Sequence, residues 1–190
     1  LSEDSVLTVH RLRCEYLDAP IGLDTPEPRL SWALDSKARD QKQTAYQILV
    51  AGTAESLAAR QGDLWDSGKV ASSRSTHIPY GGIALRSGQP CYWAVRVWNG
   101  SDVASPWSLQ SRFEMGLLEP ADWSGAWIAG QGLLRKEFAL SESIITGRAY
   151  VAAIGYYVLY VNGERVGDEQ LLPGQSDYTK RVLYMTHDIS

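Results

Sequence analysis

Aspartates and glutamates such as Asp18, Asp24, Glu27, Asp66, Glu114, Asp122, Asp168 and Asp188 are the side chains best suited to acid–base chemistry. Cleaving a glycosidic bond takes two such groups facing each other across it, one with a raised pKa. No spacing in the sequence pairs any two, and most stand in turn-like stretches where Asp serves backbone hydrogen bonding. A catalytic pair is therefore not expected within this chain. His10, His77 and His187 share no metal-ligand spacing. His187 and Asp188 are neighbours, so on a strand they point to opposite faces and form no oriented base. GxSxG, HExxH and P-loop patterns do not occur. The run GERVGD at 163–168 follows a hairpin signal and opens no helix, which removes it as a phosphate loop.

Two stretches could instead bind. LWDSG at 64–68 sets an aromatic beside an acid and could touch a sugar, but it reads more simply as a turn after a packed tryptophan. LLPGQSDYTKR at 171–181 is the one loop with the makings of a sugar site.

Bulk composition narrows the classes. The chain has 190 residues, 44% hydrophobic and 21% charged, which is ordinary for a globular protein of one large or two small domains. A net charge of −4 with scattered basic residues argues against a nucleic-acid partner, which needs a clustered basic surface. No apolar run reaches the length of a membrane span, so no membrane partner is expected. No leader is visible at Leu1, which leaves secretion open. Cys14 and Cys91 belong to no CxxC motif and read either as one disulfide or as two buried thiols. Seven tryptophans and ten tyrosines against two phenylalanines suit sandwich cores, and they also suit surfaces where sugars stack.

The elements that must carry these residues are strands. Period-two alternation predicts strands over 8–16, 29–34, 45–50, 91–98 and 108–115. In AYQILV, Tyr46, Ile48 and Val50 share a face. In YWAVRVW, Trp93, Val95 and Val97 form an apolar face opposite a mixed one of Tyr92, Ala94, Arg96 and Trp98. One short helix is expected at 54–60, capped by Thr53. The pattern is an antiparallel β-sandwich, and LRSGQPCYWAVRVWNG resembles the penultimate strand of fibronectin type III domains, with Tyr92 as its corner tyrosine.

Residues 117–132, with Trp123, Trp127 and several glycines, read as a linker whose tryptophans pack on a neighbouring domain. Strand patterns resume over 133–140, 148–154, 156–161 and 181–185, with Asn162-Gly163 marking a tight hairpin. Residues 133–190 are too few to bury both faces of a sandwich, so the second domain is expected to be a truncated piece of one. Its open edge offers a neighbouring copy a pairing surface, which makes a homodimer an expected partner state.

Together LRCEYLDAPIGLDTPEPRLSWAL, QTAYQILVA, LWDSGKV, YWAVRVWNG, SPWSLQSRFEMGLLEPADWSGAWI and GYYVLYVNGERVGDEQLLPGQSDYTKRVLYMTHDIS resemble one family in order and spacing. That family is the amino-terminal region of bacterial α-L-rhamnosidases, modular inverting glycoside hydrolases. The resemblance implies an all-β chain: a fibronectin type III-like sandwich over 1–116, the linker, and the start of a galactose-binding-like jelly roll over 133–190. It also implies a helical barrel further along the parent, where a general acid and a general base act on either side of the sugar. No position here matches a catalytic residue, so this portion alone is expected to be inactive.

Through the parent, the implied partners are rhamnose-containing glycosides. In some relatives the jelly roll binds rhamnose with calcium, which points to Asp177 and Tyr178 as substrate-binding candidates. Asp168, Glu169 and Asp177 carry oxygens, but the loop ends in Thr179-Lys180-Arg181, so no cofactor and no metal ligand are expected. A periplasmic or extracellular location is expected ahead of a cytoplasmic one. A rhamnose-binding module and a fibronectin-like interaction domain without an enzyme are the alternatives.

Overall fold

A computed structural model describes residues 7–140 and 145–190; the reading of the amino terminus at Leu1 lies outside them. The chain divides into two compact units between Asp122 and Trp123, within the stretch read as a linker. In the first unit, β1 (Thr8–Cys14), β2 (Arg29–Asp35) and β6 (Ile78–Pro79) form a three-stranded antiparallel sheet. The facing sheet is built on β3 (Ala45–Ala51) and β7 (Pro90–Trp98), paired over seven positions from Ala45–Trp98 to Ala51–Tyr92. Strands β4 (Trp65–Asp66) and β5 (Val70–Ala71) join β3 on one edge, and β8 (Ser111–Glu114) joins β7 on the other.

Alternation decides which side chains are dry. Tyr46, Ile48 and Val50 of β3 meet Cys91, Trp93, Val95 and Val97 of β7 in the inter-sheet core, with Leu30, Trp32, Ile78 and Phe113 from other strands. Burying each large apolar side chain contributes roughly 1.5–3 kcal/mol. The opposite face of the same two strands buries Leu49, Ala51 and Ala94 under Leu57 of helix α1 (Ala54–Ala58). Thr53 caps that helix by accepting from the Ser56 amide, and Arg60 at φ 60° ends it.

Tyr92 is not the corner tyrosine. It lies on the helix-side face, half-buried beside Leu49 and Leu57, because the alternation that puts Trp93 in the core turns Tyr92 away from it. The hydroxyl that bonds back to the backbone belongs to Tyr80, which donates within reach of the Leu64 and Ile83 carbonyls at 3.0 and 2.9 Å. Cys14 and Cys91 are separate buried thiols, not a disulfide.

The second unit is thinner. Strands β9 (Arg148–Ala152) and β12 (Tyr184–Asp188) pair antiparallel over five positions. Strands β10 (Tyr160–Val161) and β11 (Glu164–Arg165) form the hairpin around Asn162-Gly163, both at positive φ, 52° and 87°. The strand expected over 133–140 is absent: the stretch is unpaired and exposed, because its alternating side chains have no sheet to lie on. Of the linker tryptophans, Trp123 packs its ring 5.8 Å from Tyr184, while Trp127 is exposed. Among the described residues sixteen large hydrophobic side chains are exposed, and twelve of them follow Asp122. Ile154, Tyr156, Val158 and Tyr160 form an exposed apolar row at period two. Among its described residues the second unit forms no cluster of buried hydrophobic side chains like those of the first.

Candidate functional site

The loop singled out for sugar binding holds Asp177 and Tyr178 by local bonds. Asp177 accepts from the Thr179 amide and hydroxyl at 3.1 and 2.6 Å, and Lys180 pairs with its other oxygen at 3.3 Å. The Thr179 hydroxyl and amide, then Lys180, hold its carboxyl below the usual carboxylate range. Tyr178 uses its hydroxyl to accept the Gly155 amide at 3.1 Å, tying this loop to the start of the exposed row. Next to this loop, His187 is buried and its Nε2 lies 2.6 Å from the Tyr157 hydroxyl. Burial, then the charge of Glu169, pushes the Tyr157 hydroxyl up to about 12. Asp188 faces the other way and pairs with Arg148 at 2.9 Å, so His187 and Asp188 form no dyad.

Elsewhere, three of the acids are held by near neighbours in the fold. Asp18 pairs with Arg13 at 3.1 Å, and Asp66 accepts from Gln47 and the Gly68 amide. Asp122 accepts from Ser87 and the Glu119 amide. In LWDSG, Trp65 packs edge-on against Tyr80 at 5.5 Å while Asp66 and Ser67 shape the bend, which makes the motif a strand edge and turn. A surface depression of about 470 Å³ is lined by Leu64, Ile83, Ala84, Arg86, Ser87 and Gln89, without a carboxylate. Among the described residues no three of His, Cys, Asp and Glu come together as a metal-holding group.

Few aromatic rings are free to stack on a sugar. Trp98 and Trp107 belong to a ladder in which Lys69, Arg96 and Arg60 alternate with the indoles at 4.9–5.2 Å. Trp32 and Trp93 are buried. Among the described residues the exposed rings are those of Tyr16, Trp127, Phe138, Tyr156 and Tyr160.

One polar constellation has no counterpart in the sequence reading. Cys14 and Leu17 exchange two backbone bonds of 3.0 and 2.9 Å, so Glu15 and Tyr16 sit at the tip of a two-residue turn. Both have positive φ, 48° and 69°, the geometry that Asn-Gly usually supplies. Glu15 accepts the Arg29 amide at 2.6 Å and grips its guanidinium through Nε and a terminal nitrogen. The Arg29 side-chain bond holds the Glu15 carboxyl below its ordinary range despite some desolvation. Arg29 also lies 5.3 Å from the Tyr16 ring centroid, and the Tyr16 hydroxyl is 2.7 Å from His77 Nε2.

The chain is thus two compact β units, the first of them an immunoglobulin-like sandwich of two facing antiparallel sheets. Residues 9–119 match the Rha78A-like, N-terminal immunoglobulin domain, and residues 142–190 match the alpha-L-rhamnosidase N-terminal domain. The chain belongs to the Rha78A-like family of α-L-rhamnosidase amino-terminal regions. An alpha-L-rhamnosidase of Formosa agariphila is 37% identical over 95% of this chain, which spans 21% of that relative. The alpha-L-rhamnosidase structure from Dictyoglumus thermophilum superposes with a TM-score of 0.93 at 37% identity, over all of this chain and 24% of its own. The Streptomyces avermitilis alpha-L-rhamnosidase, solved in complex with L-rhamnose, gives 0.63 at 31% identity, over 97% of this chain and 20% of its own. The chain thus spans about a fifth of the length of its relatives.

Proposed function

We propose that the chain is the non-catalytic amino-terminal scaffold of an α-L-rhamnosidase, and that the whole protein hydrolyses terminal α-L-rhamnosides with inversion. The observation that carries this reading is the match to the amino-terminal fifth of such enzymes. An inverting glycosidase needs two carboxyls far enough apart to admit a water between sugar and base. Neither the depression beside Leu64 and Arg86 nor a second one beside Val9 and His10 is lined by a carboxylate. Catalysis therefore falls to the parent's remaining residues, and this portion contributes a rigid sandwich. The test is hydrolysis of an aryl α-L-rhamnoside by the full-length protein, with the anomer released followed by NMR. Release of the β-anomer supports inversion; release of the α-anomer contradicts it.

A second reading, rhamnose binding by the second unit, draws on the exposed Tyr156 and Tyr160 rings near the loop of Asp177 and Tyr178. Titration with rhamnose, with and without calcium, followed by heat and chemical shift, separates it from pure scaffolding. A silent titration removes it.

A further inference from the structure

The turn at Glu15-Tyr16 presents two large apolar side chains to solvent, Tyr16 at 57% and Leu17 at 56% exposure. The backbone there is held against its preference. Glu15, Tyr16 and His77, which meet through the contacts described above, are all non-glycine residues in the left-handed region. Such conformations persist only where the surroundings over-determine them, and they gather at sites with a role in binding or switching. Here the surroundings are charged and directional. The Glu15–Arg29 fork fixes the turn, Arg29 lies against the Tyr16 ring, His77 meets its hydroxyl, and Arg13–Asp18 closes the rim.

The result is an oriented knob, an aromatic and a leucine ringed by ion pairs. Small-molecule sites are concave, and the depressions beside Leu64 and beside Val9 include no residue of this cluster. A protruding Tyr-Leu pair with a charged rim is instead the form of an anchor that enters a pocket on another protein surface. The geometry points to an intramolecular docking anchor: Tyr16 and Leu17 seat in the remaining four fifths of the parent polypeptide and fix the sandwich to it. The occupant follows from length. The chain spans 21% of the relative from Formosa agariphila, and a tethered surface of that size acts at high effective concentration, ahead of any free partner. This inference rests on reading the chain as the front of a longer enzyme.

The experiment compares the 190-residue chain with the full-length protein. Leu17→Cys is made in both, and maleimide labelling of that residue is followed by peptide-resolved mass spectrometry. Labelling about tenfold or more slower in the full-length protein is expected from a docked anchor; similar rates overturn the inference. A second variant, Leu17→Glu, is expected to leave the thermal midpoint of the isolated chain unchanged and to lower the midpoint of the full-length protein. An unchanged full-length midpoint also overturns it. Protection that rises with protein concentration would assign the anchor to a second copy, and so overturns the intramolecular form. Hydrolysis of an aryl rhamnoside by the same full-length sample reports separately on the proposed function. A sample that shields residue 17 but turns over no rhamnoside keeps the anchor and loses the enzyme.

Discussion

Replacing Glu15 by Gln keeps the shape of the clamp and removes its charge. The Glu15 side chain is only 16% exposed, whereas its partner Arg29 is 45% exposed. The pair itself is half in water and is worth at most about 1 kcal/mol. A second contribution comes from the Arg29 amide, bonded at 2.6 Å to an ionised acceptor. Charge-assisted bonds are roughly twice as strong as neutral ones, so exchanging the carboxylate for an amide oxygen costs about another 0.5–1 kcal/mol. The expected loss near neutral pH is therefore about 1.5 kcal/mol. Because the clamp holds the carboxyl below its ordinary value, its contribution is complete above the unfolded-state pKa. It disappears as pH falls through the folded-state pKa, where the native carboxyl takes up a proton. Urea unfolding followed by tryptophan fluorescence measures this well, since Trp32, Trp65, Trp93, Trp98 and Trp107 all lie in the first unit. With a slope of about 1.5 kcal/mol per molar urea, the midpoint drops by about 1 M at pH 7. The gap between wild type and Glu15→Gln should narrow as the medium is made strongly acidic. A deficit of equal size at neutral and strongly acid pH, or none at either, would refute the clamp.

Trp32 and Trp93 are both buried, but the Trp32 indole donates to Gln43 at 3.0 Å whereas Trp93 Nε1 has no partner. Trp32→Phe should cost about 1 kcal/mol more than Trp93→Phe in the same urea assay, because it strands the Gln43 oxygen. Cys14 and Cys91 are buried, and burial pushes the Cys91 thiol up to about 12 and raises that of Cys14. Native protein should react with a chromogenic disulfide only at the rate of unfolding, and fast stoichiometric reaction would contradict their placement. Arg96 sits between the rings of Trp98 and Trp107 and donates to Gln47 at 2.9 Å. Arg96→Ala should lower stability by about 1–2 kcal/mol and alter indole fluorescence.

The long strands were legible because a half-buried strand writes its two faces into alternate residues, as Tyr46-Ile48-Val50 and Trp93-Val95-Val97 do. The Thr53 cap and the Asn162-Gly163 turn were legible for a related reason, since each places a residue type where its chemistry is needed. Strands β4, β5 and β6 span two residues apiece, too short for any period to register. Tyr92 failed as the corner tyrosine because it lies within β7 on the face turned toward helix α1, while Tyr80, just after the two-residue β6, carries no strand period to draw notice. The stretch 133–140 alternates well enough to suggest a strand, but alternation speaks of a face and not of a neighbour to pair with. The Glu15-Tyr16 turn carried no signal, because its support comes from Arg29 and from His77, sixty-one residues away from Tyr16. The loop of Asp177 and Tyr178 was singled out in the sequence by its residue types alone. That Asp177 bonds Thr179 and Tyr178 bonds Gly155 needed coordinates.

The division of labour between this chain and the rest of the parent is read out by turnover of an aryl α-L-rhamnoside by the 190-residue chain beside the full-length protein at equal molarity. Hydrolysis by the full-length protein and no release above background by the chain alone are expected. Turnover by the chain alone would place a catalytic carboxyl pair among residues assigned here to turns, and would contradict that division.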